Sequence, residues 1–307
     1  MKYRDWLQRW LSTGTITFKS ATKNKYEQII RCHINPFLGN REINDIAAED
    51  LRNFSLRLAS AGLASNTVKG ILFVVKSSLQ SALKNAILKK DYTQALIVPK
   101  YHEKHVSALS VKEQKDIEQF VLSHQKPEEF GIIFTLYTGV RIGELLALQW
   151  KDIDLAHGIV YIHKTSHDIW QNCVYQKHLD SPKTIASNRY IPIPKQIIPI
   201  MKKLYYGNKE AFLVENVHHH CLQTRSYQEM FSKILQKLNI AHKGFHSLRH
   251  TFATRALECG MDIKTLSEIL GHANPNITLS RYAHSMLEHK THMMNRLGGM
   301  LSIKINN

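Results

Sequence analysis

Between His246 and Tyr282 the chain reads HSLRH, then a helical segment, then ILGHANPNITLSRYAH, gathering a histidine, an arginine, a second histidine and a tyrosine in that order. Arg141, far upstream in TGVRIGE, adds a second guanidinium. A phosphodiester resists attack because its anionic oxygens repel nucleophiles and gain charge during displacement. A site for that reaction must set fixed positive charge and directed donors around the phosphate beforehand. Arginine suits the task, since its planar fork binds two oxygens at once and stays protonated. Tyr282 is the expected nucleophile. A phenol with its ordinary pKa near 10 is sluggish at neutral pH unless cations lower that value or a base takes the proton, so it belongs near Arg141, Arg249 and the histidines. The set points to covalent phosphoryl transfer on nucleic acid.

These side chains need elements to hold them. The H-S-L-R spacing puts His246 and Arg249 one helical turn apart on one face, while His250 is expected to point elsewhere as an ordinary helix residue. Gly271 terminates the Leu266–Leu270 segment and turns the chain into His272. Arg141 follows Thr138-Gly139 at a helix-to-helix turn, and Glu144, one turn on, is expected to brace a guanidinium or imidazole from behind. Ser110 followed by Glu113 is a capping-box pattern, and helices are predicted over Phe130–Tyr137, over Arg141–Leu148 and again from Arg225. β-Branched content predicts strands at Gly158–Ile162 and Tyr190–Pro194, joined through a polar, basic segment containing Lys177 and Lys183. The first hundred residues read as helical: Tyr3–Leu11, Lys19–His33, Ile46–Leu58, and a long helix capped at Ser65-Asn66-Thr67 and running to about Leu88, with Val68, Ile71, Leu72, Val75, Leu79 and Leu83 at helical spacing. Thr67, Lys69 and Lys76 are the residues there that could track a phosphate backbone. The apolar period lapses at Val98-Pro99-Lys100, which divides the chain into 1–100 and 101–307. The expected fold is mainly α, with a small antiparallel β-sheet in the second domain.

Composition narrows the partners. Over 307 residues, Lys+Arg of 41 against Asp+Glu of 25 gives a formal charge of +16, which favours a polyanionic partner such as nucleic acid or an anionic membrane face. No run approaches the roughly 18 apolar residues of a membrane span, and MKYRDWLQRWL lacks the features of a secretory signal. Cys32, Cys173, Cys221 and Cys259 are scattered without pairing, as free thiols of a reducing cytoplasm are. Eighteen histidines, among them His218-His219-His220 beside Cys221, raise a metal enzyme as a rival. Three adjacent histidines diverge rather than converge, and a Mg²⁺ site would want carboxylates, so no catalytic metal and no cofactor are expected.

TGVRIGELLAL, SPKTIASNRYIPIP, HSLRHTFATRAL and LGHANPNITLSRYAH together resemble the successive boxes of the tyrosine recombinase (phage integrase-like) family. The helical first hundred residues resemble its core-binding, SAM-like domain on weaker motifs. The resemblance implies that Arg141 and Arg249 hold the scissile phosphate, that His246 and His272 supply hydrogen bonds and manage protons, that Lys183 protonates the departing 5′ oxygen, and that Tyr282 forms a 3′-phosphotyrosyl link. Lys177 competes for the lysine role, but PKT followed by S-x-R-x-IP matches the family pattern at Lys183. The His272-to-Tyr282 spacing is at the long end for the family, yet no other tyrosine follows Gly271.

The family also implies a homotetramer on two sites in double-stranded DNA, an accessory or excision factor, and a cytoplasmic, nucleoid-associated protein of a mobile element. It further implies a C-terminal tail that packs on a neighbouring protomer, for which Met286, Leu287, Met293, Met294 and Leu297 are available; packing on its own domain is the alternative. The chain starts at the core-binding region, so arm-site binding is not expected. Two other readings stay open: a DNA-binding protein of the same fold that has lost the reaction, and a type IB topoisomerase-like enzyme that nicks and reseals one strand.

Overall fold

The computed structural model describes residues 1–14, 18, 20–98, 108–171, 174–180, 188–216, 222–272, 274, 291 and 294–299. The chain forms two compact units, Met1–Lys104 and His105–Asn307.

In the first unit, α1 (Tyr3–Thr13) buries Tyr3, Trp6, Leu7, Trp10 and Leu11, the one-sided stripe that a helical period produces. Its polar tips are satisfied on α4 (Ser65–Lys84): the Tyr3 and Ser78 hydroxyls lie 2.7 Å apart, and Trp6 Nε1 donates to the Ser78 carbonyl. The predicted helix to His33 is instead α2 (Ser20–Ile29) followed by a π-turn, Ile30–Ile34. After α3 (Ala48–Ser60), α4 begins with Ala64 in the capping position and Ser65 already helical, so the Ser-Asn-Thr cap is not formed. The helix stops at Lys84 rather than Leu88 because Ala86 takes a left-handed φ of 55°, which no continuing helix allows. Leu88 is still buried in the unit's core. Thr67, Lys69 and Lys76 are exposed on α4, and Phe73, between the two lysines, is exposed with them.

The second unit opens with α5 (Val111–His124), and its capping box is formed: Ser110 Oγ accepts from Glu113 N–H, and Glu113 accepts from Ser110 N–H at 2.7 Å. Helix α6 (Pro127–Thr138) starts on a proline at its first turn and is buried on nearly every side, the mark of a central helix. Gly139, at φ 67°, ends it, and α7 (Ile142–Ala147) follows. Strands β1 (Ile153–Asp154), β2 (Ile159–Ile162) and β5 (Arg189–Pro192) make an antiparallel sheet in the order β1-β2-β5. Val160 and Ile162 face the core, and Tyr161 stacks outside on Tyr190. Between β2 and β5 lies a hairpin that the sequence did not announce, β3 (Thr165–Gln171) with β4 (Val174–Asp180). Its strands lack the apolar alternation that betrays a half-buried strand. Then come α8 (Ile198–Leu204), also unforeseen, α9 (Thr224–Lys237), α10 (His246–Glu258) and α11 (Ile263–Leu270). Phe134, Leu145, Val160, Ile191, Met201, Phe231 and Leu248 meet in one core. That core fixes α7, β5 and α10, the three elements that carry the arginines described next.

Candidate active site

A helix leaves its last carbonyls without intrahelical donors, and its C-terminus carries a partial negative charge. At the end of α11 every one of these groups is accounted for. Gly271, at φ 62°, turns the chain so that its own N–H returns to the Glu268 carbonyl and the His272 N–H to that of Ser267. The next three carbonyls accept from three different arginines. Arg189 Nε takes Ile269 O, Arg249 Nη2 takes Leu270 O at 2.7 Å, and Arg141 Nη2 takes Gly271 O at 3.1 Å. Side chains from β5, α10 and the start of α7 thus converge on one helix terminus.

Arg141 caps α7, and Glu144 reaches back to it. The carboxylate accepts the Arg141 backbone N–H at 2.9 Å through Oε2 and Nη1 at 2.7 Å through Oε1. Arg189 grips the same carboxylate from the other side, Nη1 to Oε1 at 3.1 Å and Nη2 to Oε2 at 2.9 Å. Glu144 is only 4% exposed. Burial works to raise its pKa, but the Arg189 hydrogen bonds and charge, with the charge and N–H of Arg141, outweigh it and hold the carboxyl down at about 2. The expected brace is therefore present, and it clamps two guanidiniums. Arg141 itself stays about a third exposed. Two of its five N–H groups are engaged among the described residues, which leaves donors for an anion.

Arg249 is buried. Its Nη1 donates to the Gly139 carbonyl at 2.8 Å, and its Nη2 also lies 2.9 Å from His272 Nε2. A guanidinium donates only, so His272 Nε2 must accept, which places the imidazole proton on Nδ1. A Cβ at Gly139 would fall 2.4 Å from the Phe252 ring, so this left-handed turn packs too closely for a side chain. His246, at the first position of α10, is exposed. His250 does not point away from it: the two rings meet edge-on with centroids 4.8 Å apart, because residues four apart on a helix share a face.

The structure therefore brings Arg141, Glu144, Arg249 and His272 together and sets His246 on the same helix as Arg249. Lys183, in the connection from β4 to β5, and Tyr282 lie outside the described residues. Lys177, the other lysine of that segment, donates to the Leu146 carbonyl at 2.6 Å and sits over the Phe212 ring, so it is committed to packing. The sequence reading missed Arg189. Its signal was present, since an arginine in phase with Ile191 on a strand faces inward and needs a buried partner.

The model of the phage integrase family matches residues 78–289, and that of its N-terminal SAM-like domain matches residues 2–59. A tyrosine recombinase XerC-like protein of Caldanaerobacter subterraneus is 28% identical, with 96% of this chain and 82% of that protein aligned. The structure of the Tn1549 transposon integrase in complex with a circular intermediate DNA superposes with a TM-score of 0.81 at 23% identity, covering 97% of this chain and 99% of that one. A lambda integrase tetramer bound to a Holliday junction gives 0.69 at 18% identity, covering 90% and 78%.

Proposed function

The chain belongs to the phage integrase family and is a site-specific tyrosine recombinase, and we propose that it cuts and rejoins duplex DNA through a phosphodiester held by Arg141 and Arg249 and attacked by Tyr282. The observation that carries this reading is the meeting of Arg141, Arg249 and His272 at the end of α11, although 130 residues separate Arg141 from Gly271. A phosphate there would meet guanidiniums whose positions are already fixed by backbone carbonyls, so little reorganisation is required as charge builds in the transition state.

The Tyr282 oxygen attacks phosphorus, the bond to the 5′ oxygen breaks, and Lys183 gives that oxygen its proton. The products are a 3′-phosphotyrosyl ester and a free 5′-hydroxyl. His272, accepting at Nε2, and His246, exposed at the head of α10, are placed to hydrogen-bond phosphate oxygens and to pass the phenolic proton. The ester keeps the energy of the broken linkage. A 5′-hydroxyl from a second duplex can therefore attack it and release the phenol without ATP, and no step calls on a metal.

Two successive exchanges pass through a four-way junction, which suits a homotetramer on two duplexes, the assembly that lambda integrase forms on a Holliday junction. Met294 and Leu297, exposed on the tail, support docking on a neighbouring protomer. Such an enzyme works in the cytoplasm at the nucleoid, with an accessory or excision factor setting direction. None of the helices among the described residues is long and apolar enough to cross a membrane.

A nicked DNA site that traps the cleaved state tests the scheme. Tyr282→Phe should abolish the covalent adduct on a denaturing gel while leaving gel-shift affinity nearly unchanged. An adduct that persists in this variant would assign the nucleophile elsewhere.

A further inference from the structure

We propose that the outward face of the β3–β4 hairpin is a transition-metal site, of the kind zinc occupies, built from His167, His178 and Asp180. Register puts these three side chains on one face: His167 and His178 are direct cross-strand partners, and Asp180 lies two residues beyond His178. The neighbouring positions face the body of the domain. Ser166 is buried, Asp168 accepts the Thr224 N–H at the head of α9, and Lys177 reaches the Leu146 carbonyl on α7. The hairpin is thus anchored through one face and presents the histidines on the other.

One ligand atom from each of the three residues falls within 4.8 Å of the others. His167 Nε2 stands 3.3 Å from an Asp180 carboxylate oxygen, and His178 Nδ1 stands 3.5 Å from the other oxygen. A tetrahedral zinc ion with bonds of about 2.0–2.1 Å separates its ligand atoms by about 3.3 Å. Hydrogen bonding does not explain the arrangement. His167 Nε2 is buried, and despite its 3.3 Å approach to Asp180 it lacks the alignment of a hydrogen bond, so it has no hydrogen-bond partner among the described residues. Two atoms at that separation but off each other's axis are placed as ligands of one ion are.

Two imidazoles select zinc, cobalt or nickel over magnesium or calcium, and the single carboxylate supplies negative charge. Three protein ligands leave a fourth position for water or an incoming group. Asp180 is the last residue of β4, so the ion would also tie down the strand end from which the Lys183 segment departs, a consequence that rests on the role given to Lys183 above.

The test is metal binding by the full chain, which is independent of cleavage. Protein stripped with a chelator is titrated with Co²⁺, followed by visible absorption, and with Zn²⁺, followed by competition against a chromophoric chelator. The His218–Cys221 run is a second possible chelator, so a chain carrying His218→Ala, His219→Ala, His220→Ala and Cys221→Ser is titrated in parallel. The proposal expects that parallel chain to keep one equivalent, and the His167→Ala/His178→Ala chain to lose one equivalent relative to the unsubstituted protein. Asp180→Asn, nearly identical in shape, should weaken binding at the same site and serves if the double variant fails to fold. Titrations of the double variant or of Asp180→Asn that match the unsubstituted chain would overturn the proposal. So would loss of all bound metal on replacing residues 218–221.

Discussion

At the scale of single residues, Glu144 does the structural work that lets two arginines stand close together. Its carboxyl falls from an ordinary 4.5 to about 2, on the order of 3 kcal/mol of folding free energy. A carboxylate with a depressed folded-state pKa contributes fully above its unfolded value. That contribution drains as pH falls from about 4.5 toward about 2. Urea midpoints measured from pH 7 down to pH 2 should therefore drop for the unsubstituted chain through that window. For Glu144→Gln they should start lower and change less there, and equal slopes would show that the clamp does not couple to folding. The sequence disclosed Arg141, Glu144, Arg249 and His272 because each sits in a motif whose spacing fixes a helical face or a helix end. It hid the role of Arg189, because an arginine on a short strand shows its partner only once α7 and α11 are packed against it. His250 was misjudged for a simpler reason: four residues separate it from His246, and that geometry outweighs its distance from the expected chemistry.

Elements were legible in proportion to how one-sided they are. The stripes of α1 and α4 and the Ser110–Glu113 box could be read directly, whereas the β3–β4 hairpin, polar on its described outward face, carries no period to detect. The end of α4 escaped because the apolar pattern runs on to Leu88, although Asn85 directly after Lys84 is itself a helix-stop signal. Two substitutions separate an element's stability from its place in the site. Ser110→Ala removes one cap and should cost about 1 kcal/mol in chemical denaturation, with the yield of covalent adduct unchanged. Gly271→Ala forces a side chain into φ 62° and sets its Cβ 2.9 Å from Arg189 Nη1. The left-handed conformation alone costs roughly 1–2 kcal/mol. The displaced guanidinium should then lower adduct yield well beyond any change in DNA affinity. A Gly271→Ala protein that cleaves normally would show that the end of α11 need not be held so tightly.

For the whole molecule, a formal charge of +16 makes association with a polyanion strongly dependent on ionic strength. Lys69 and Lys76, exposed one either side of Phe73 on α4, are expected to be phosphate contacts. Replacing either with alanine should reduce the slope of log affinity against log salt by about 1, with little change in site preference, as fluorescence anisotropy across a salt series would measure. An unchanged slope in both variants would assign that face to solvent.

The end of α11 also sets a rule for how this chain can change over evolutionary time. Three successive carbonyls are each matched to a different partner, and adding one residue to a helix rotates everything beyond it by about 100°. A single insertion or deletion between Asp262 and Gly271 would hand every guanidinium the wrong oxygen at once. Length in that stretch should be frozen even where residue identity drifts.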